Sequence, residues 1–195
     1  MKLRTKRVWA VAAAVITGFG AMIAGGTAQA ASASNHADSY ATSWHHSSFD
    51  VAFQVRQMFS HSVNAYNQAN AVSTRCDGCR SVAIAFQIVA DGRTPGYVNG
   101  DNSATAVNTK CSQCQTLGVA YQFIVAKPTV LSWGDWSKLY QVDNQLWALR
   151  WSHAPTSTVA GQVDALAGKV SDILAHAGSG YPHWPLVRHY MSWYH

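Results

Sequence analysis

The chain has 195 residues, with 14 Lys and Arg, 9 acidic residues and 9 His, for a formal charge of +5. Every acid is Asp, and four of the bases, Lys2, Arg4, Lys6 and Arg7, stand ahead of an apolar run from Val8 to Ile23. Without that leader ten bases face nine acids, which excludes the clustered basic surface that a nucleic-acid binder needs.

The leader ends at Ala28-Gln29-Ala30. A basic start, an apolar core and an A-x-A site define a secretory signal peptide over residues 1–30. The run is broken by Gly18 and Gly20 and falls short of the roughly 20 apolar residues of a membrane span, so cleavage is expected over retention as an anchor. The expected location is secreted, at or near the cell envelope. What remains is sized for one domain with its own core.

Residues 31–43 are mostly Ala, Ser and Asn with one acid and no apolar period, which predicts a flexible spacer. From residue 44 a repeat begins. Cys76-Asp-Gly-Cys79-Arg-Ser-Val-Ala-Ile-Ala-Phe-Gln-Ile-Val89 recurs as Cys111-Ser-Gln-Cys114-Gln-Thr-Leu-Gly-Val-Ala-Tyr-Gln-Phe-Ile124, and Ala71 to Arg75 aligns with Ala106 to Lys110. A degenerate copy precedes them, with Ser43 and His46 at the cysteine positions and Ala52-Phe53-Gln54 matching Ala85-Phe86-Gln87.

After each second cysteine the pattern alternates. Val82, Ile84, Phe86 and Ile88 oppose Ala83, Ala85 and Gln87, while Leu117, Val119, Tyr121 and Phe123 oppose Gly118, Ala120 and Gln122. Period two with branched and aromatic residues predicts strands; a helix is the rival, since Val82, Ala85, Phe86 and Val89 also fit its spacing. Asp77-Gly78 is a two-residue hairpin signal, so each copy reads as a strand, a CxxC corner and a longer strand. The repeats span residues 44–127.

Residues 131–177 then read as a helical hairpin. Trp136, Leu139, Tyr140 and Trp147 form one apolar side, and Val163, Leu166, Val170, Ile173 and Leu174 another, with Ser157 or Thr158 as N-cap and Gly178 as stop. The expected fold is therefore α+β, a small antiparallel sheet of repeated hairpins covered by an antiparallel helical hairpin, in one domain over residues 44–177. The tail, residues 178–195, carries Tyr181, Trp184, Tyr190, Trp193 and Tyr194 with His183, His189 and His195, and is either packed on the domain or a ligand-contact surface.

Four cysteines in an exported chain are expected to be oxidised. Successive hairpins would set equivalent corners about 10 Å apart, beyond the roughly 7 Å reach of a disulfide, so local bridges Cys76–Cys79 and Cys111–Cys114 are expected. Two rival readings use the same residues. A redox CxxC would draw on Arg80 to stabilise a thiolate, but no helix follows the motif. A structural zinc site would use all four cysteines, although the 31 residues between the pairs exceed the usual spacing. Gln54, Gln87 and Gln122 repeat within apolar strands, as satisfied structural groups or as a ligand-facing row.

No H-E-x-x-H or G-x-S-x-G occurs, so no catalytic residue, resident metal or cofactor is expected. A Ser-His-Asp set brought together only in space leaves no local pattern to read. The doubled CxxC with A-F-Q and A-Y-Q, followed by the helical hairpin, resembles a group of uncharacterised exported actinobacterial proteins. It is also similar to the extracytoplasmic C-terminal region of peptide zinc metalloprotease membrane proteins. The likeness covers about residues 69–176 and excludes the aromatic tail. No protease motif is present, and the resemblance implies export but no reaction. The expected function is a secreted, disulfide-stabilised, non-enzymatic module whose partner is a cell-wall polymer, a membrane surface or another envelope protein.

Overall fold

The computed structural model describes residues 30–125, 127–177 and 185–194. Its strands are β1 (Ala31–Thr42), β2 (Ser47–Met58), β3 (Ser62–Asp77), β4 (Arg80–Asp91), β5 (Tyr97–Ser112), β6 (Gln115–Val125) and β7 (Leu186–Tyr194). Helices α1 (Trp133–Ala148) and α2 (Thr156–Ala175) lie between β6 and β7.

The strands do not form hairpins. β1, β3 and β5 pair in parallel in one sheet, and β2, β4 and β6 pair in parallel in a second, which β7 extends by antiparallel pairing with β6. The chain thus winds through three rungs of a two-sheet solenoid, each rung one strand from each sheet. This overturns the expected small antiparallel sheet, and the reason is the repeat itself. Strands of like sequence gain most by lying in register, where Asn35, Asn67 and Asn102 align, as do Gln54, Gln87 and Gln122. The Asp77-Gly78 turn carries the chain from one sheet to the other instead of folding it back on its own strand.

The middle of the layer between the sheets is built largely from alanine and amide side chains, with Val63, Val89 and Ile124 packed toward one end. Ala37, Ala69, Ala83, Ala85 and Ala120 are fully buried there. The sheets approach so closely that a Cβ on Gly118 would lie 2.6 Å from the Thr105 carbonyl oxygen. Two amide ladders run through the layer. Asn35 Nδ2 donates to Asn67 Oδ1 at 2.9 Å, Asn67 Nδ2 to Asn102 Oδ1 at 2.7 Å, and Asn102 Nδ2 to the Ala120 carbonyl at 2.9 Å. Gln122 Nε2 donates to Gln87 Oε1 at 2.9 Å, and Gln87 Nε2 to Gln54 Oε1 at 3.0 Å. The repeated glutamines are therefore structural groups and not a ligand-facing row.

The larger apolar residues occupy the other face of the second sheet. Ile84, Phe86, Ile88, Val119 and Phe123 are fully buried beneath Leu139 and Leu146 of α1 and Val163, Val170 and Leu174 of α2. Strands β4 and β6 are thus buried on both faces, as is usual for parallel strands, whereas β1, β3 and β5 bury one face only. The expected helical hairpin is present. Ser132 caps α1, its side chain accepting from the Asp135 amide while Asp135 accepts from the Ser132 amide. α2 begins earlier than Ser157 or Thr158 would set it, since Pro155 stands at the cap, and the Thr156 amide donates to Gln115 Oε1 at 3.3 Å. Gln57 seats α1, accepting from the Leu131 amide at 3.0 Å and donating to the Thr129 carbonyl at 2.9 Å.

Residues 31–42 form β1, not a spacer, because a rung built on small side chains needs no long apolar ones. Ala33, Asn35, Ala37, Ser39 and Ala41 are its buried row. β1 has one strand neighbour and so leaves backbone groups facing outward. Side chains of β2 take three backbone groups of β1. Asp50 Oδ2 accepts from the Asp38 amide at 2.8 Å, Ser48 Oγ from the Tyr40 amide at 3.2 Å, and Gln54 Nε2 donates to the Ser34 carbonyl at 2.7 Å.

Candidate functional site

Each repeat turns from the first sheet to the second at its CxxC, so the corners stack. Thr42, Thr74 and Thr109 align in register, and the next residues of the two later rungs, Arg75 and Lys110, both adopt left-handed backbone with φ of 51°. That conformation is uncommon for a residue with a Cβ, and its recurrence marks it as part of the corner's geometry. Register resumes at Cys76 and Cys111. The corners are bonded rung to rung, from the Gly78 amide to the Ser112 carbonyl at 2.9 Å, Arg80 to His46 at 2.8 Å and Gln115 to Cys79 at 2.8 Å.

The cysteines are paired locally, Cys76 with Cys79 and Cys111 with Cys114, as the sequence leads one to expect. The expected reason is corrected. Equivalent corners are adjacent rungs, not 10 Å apart, and Cys76 Sγ lies 3.9 Å from Cys111 Sγ. The sulfurs of Cys76, Cys111 and Cys114 all fall within 4.8 Å of one another. His46 occupies the second cysteine position of the first rung, as the degenerate copy predicts, with Nδ1 3.7 Å from Cys79 Sγ. Paired sulfurs are neither nucleophiles nor thiolate metal ligands, so attack by a cysteine of this chain, or zinc binding, requires prior reduction. Arg80 does not serve a thiolate either. Its Nη2 donates to the Ala154 carbonyl at 3.0 Å and its guanidinium sits 5.8 Å from the centre of the Phe49 ring, where burial lowers its pKa.

Alkylation of the unreduced protein is expected to label no cysteine, and mass analysis of a digest to recover both local bridges. Reduction should lower stability by about 2 kcal/mol per bridge, because each closes a loop of only four residues. Four thiols labelled without reductant would overturn the disulfides and favour a thiolate metal site.

Beside the bridges opens a cleft of about 530 Å³ lined by Thr42, Ser43, Trp44, Thr74, Arg75, Thr109 and Lys110. Trp44 is 89% exposed at its edge, and Arg75 and Lys110 are also exposed. Among the described residues neither cation has a carboxylate within ion-pair distance. Two adjacent positive charges, a row of hydroxyls and an aromatic face suit a ligand with repeated negative charge and polyol character. None of these residues was marked by a catalytic or metal motif. The available signal was the repeat, in which Thr74-Arg75-Cys76 returns as Thr109-Lys110-Cys111.

The tail residues are divided. Tyr181 and Trp184 lie outside the described residues. Tyr190, Trp193 and Tyr194 belong to β7, opposite Ala120, Leu117 and Thr116 of β6, and Tyr190 is exposed. The exposed His189 stacks on Tyr121 with ring centres 4.1 Å apart. The Tyr121 hydroxyl donates to Asp164 at 2.8 Å, and burial first, then that bond, raises the phenol's pKa. This part of the tail is a sheet strand and not a separate appendage.

The class of protein defined by this geometry is a three-rung, two-sheet parallel β-solenoid, braced at one corner by local disulfides and covered by a helical hairpin. Searches against protein-family models, curated proteins and solved structures return no match. No described helix is long and apolar enough to cross a membrane.

Proposed function

We propose that this is an exported, non-enzymatic module that binds an anionic polymer of the cell envelope through the cleft at the CxxC corner. The observation that carries the reading is the placing of Arg75 and Lys110 at equivalent positions of adjacent rungs, without an ion-pair partner among the described residues, beside the Thr42, Thr74 and Thr109 row and the exposed Trp44. Export is supported by the leader sequence and by cysteines held as disulfides. The bridges supply no chemistry in this reading. They hold the two basic residues at the rim of the cleft, one residue ahead of Cys76 and Cys111.

The test is binding of the chain from Ala31 onward to isolated envelopes and to a soluble phosphate-bearing polysaccharide. The Arg75→Ala/Lys110→Ala double variant should bind about tenfold more weakly and lose most of the salt dependence, since two of the charges exchanged with counterions are gone. Unchanged affinity in a variant with unchanged melting temperature would sink the proposal.

A further inference from the structure

A second cleft, of about 400 Å³, lies where α1 crosses the edge strand β2. It is lined by Phe53 and Val55 of β2 and by Trp136, Leu139, Tyr140 and Asp143 of α1. Three aromatic rings and two aliphatic side chains surround one carboxylate. Asp143 is half-buried, and its Oδ1 is buried with no hydrogen-bond partner among the described residues. No cationic side chain lies within ion-pair distance of it there. Burial raises the Asp143 carboxyl pKa above its ordinary value, the direction expected of a charge that the fold leaves uncompensated.

An apolar wall with a single unpaired carboxylate is a costly arrangement for the free protein. It costs least when a cation enters, and the chemistry narrows which cation. The carboxylate oxygen lacks a donor, so the ligand must carry N–H groups, which a quaternary ammonium does not have. Val55 and Leu139 offer surface to an aliphatic stem, and Trp136, Tyr140 and Phe53 offer ring faces to the charge. We infer that this cleft binds a primary ammonium group carried on an unbranched aliphatic chain, with Asp143 accepting its hydrogen bonds, the aromatic rings facing its charge, and Val55 and Leu139 packing on its stem. The site is separate from the corner cleft and shares no residue with it.

The test is calorimetric and NMR titration of the chain from Ala31 onward with pentylammonium, using 1-pentanol and pentyltrimethylammonium as controls. Pentylammonium should bind at least tenfold more tightly than either control, and Asp143→Asn should remove that preference. Because Asn relieves the buried charge, the variant should melt no lower than the parent, so weaker binding cannot be ascribed to unfolding. Trp136→Ala should weaken binding severalfold while leaving the order of preference unchanged. A lysine-containing tripeptide distinguishes the source of the group. Tighter binding than pentylammonium assigns a lysine side chain of a polypeptide, and weaker binding assigns a free amine. Equal affinity for pentanol and pentylammonium, or an undiminished preference in Asp143→Asn, would overturn the inference.

Discussion

Replacing Asn67 with alanine should cost about 3–4 kcal/mol, a loss out of proportion to the few atoms removed. Asn67 is 1% exposed and stands at the middle of the asparagine ladder. Its Nδ2 donates to Asn102 Oδ1 at 2.7 Å and to the Tyr121 carbonyl at 2.9 Å, and approaches the Ala85 carbonyl at 3.2 Å. Its Oδ1 accepts from Asn35. One side chain therefore joins all three strands of the first sheet to two strands of the second. Alanine would leave the buried carbonyls of Ala85 and Tyr121 and the amides of its neighbours short of partners in a layer too thin to admit water freely. Denaturant unfolding of Asn67→Ala beside the parent measures this directly. A loss below about 1 kcal/mol would mean that the ladder is satisfied without its centre.

Phe86→Ala should be comparably severe, at about 3–5 kcal/mol, through a different mechanism. Phe86 is fully buried at the centre of an aromatic row, with ring centres 6.1 Å from Phe53, 5.2 Å from Tyr121 and 6.0 Å from Phe123. Truncation leaves a cavity beneath the helical hairpin that the stiff parallel sheet cannot close. Phe53, in the edge strand of the same row and only partly buried, should cost less than half as much when changed to alanine. Equal losses at the two positions would show that the hairpin, and not the row, dominates the packing.

How much of this was legible in the sequence depended on which face of a strand carried the information. Val82, Ile84, Phe86 and Ile88 are long, apolar and face the helices, so their period of two is plain and marks the strands after each CxxC. The helical hairpin is legible for the same reason. The faces turned toward the other sheet are lined mainly with Ala, Ser, Asn and Gln, with larger aliphatic residues such as Val63, Val89 and Ile124 only toward one end, and such faces give little hydrophobic alternation. The sequence of β1 therefore looks like that of a spacer. A signal was present in the recurrence of asparagine, since Asn35, Asn67 and Asn102 return at intervals close to the repeat length. The parallel stacking is not legible, because Asp77-Gly78 is a turn signal that does not reveal which strand comes next to which. The sequence repeats a Thr and a basic residue before each CxxC without marking a cleft, because those cations become neighbours only once the rungs stack.

The stacked rungs also govern how this chain reaches its native state. Each strand of the three rungs must find a partner 32 to 35 residues away, as Ala31 pairs with Val63 and Arg80 with Gln115, and β7 must reach back further still to β6. A fold made of such distant pairings has high contact order and forms slowly, whereas α1 and α2 are local and form fast. The early helices have no surface to cover until β4 and β6 lie side by side. Both disulfides close within one corner, so oxidation shortens none of the searches that join one rung to the next. They lock corners already turned, and the slow step of folding belongs to the amide-lined strands, which stay exposed to other chains until the third rung is in place.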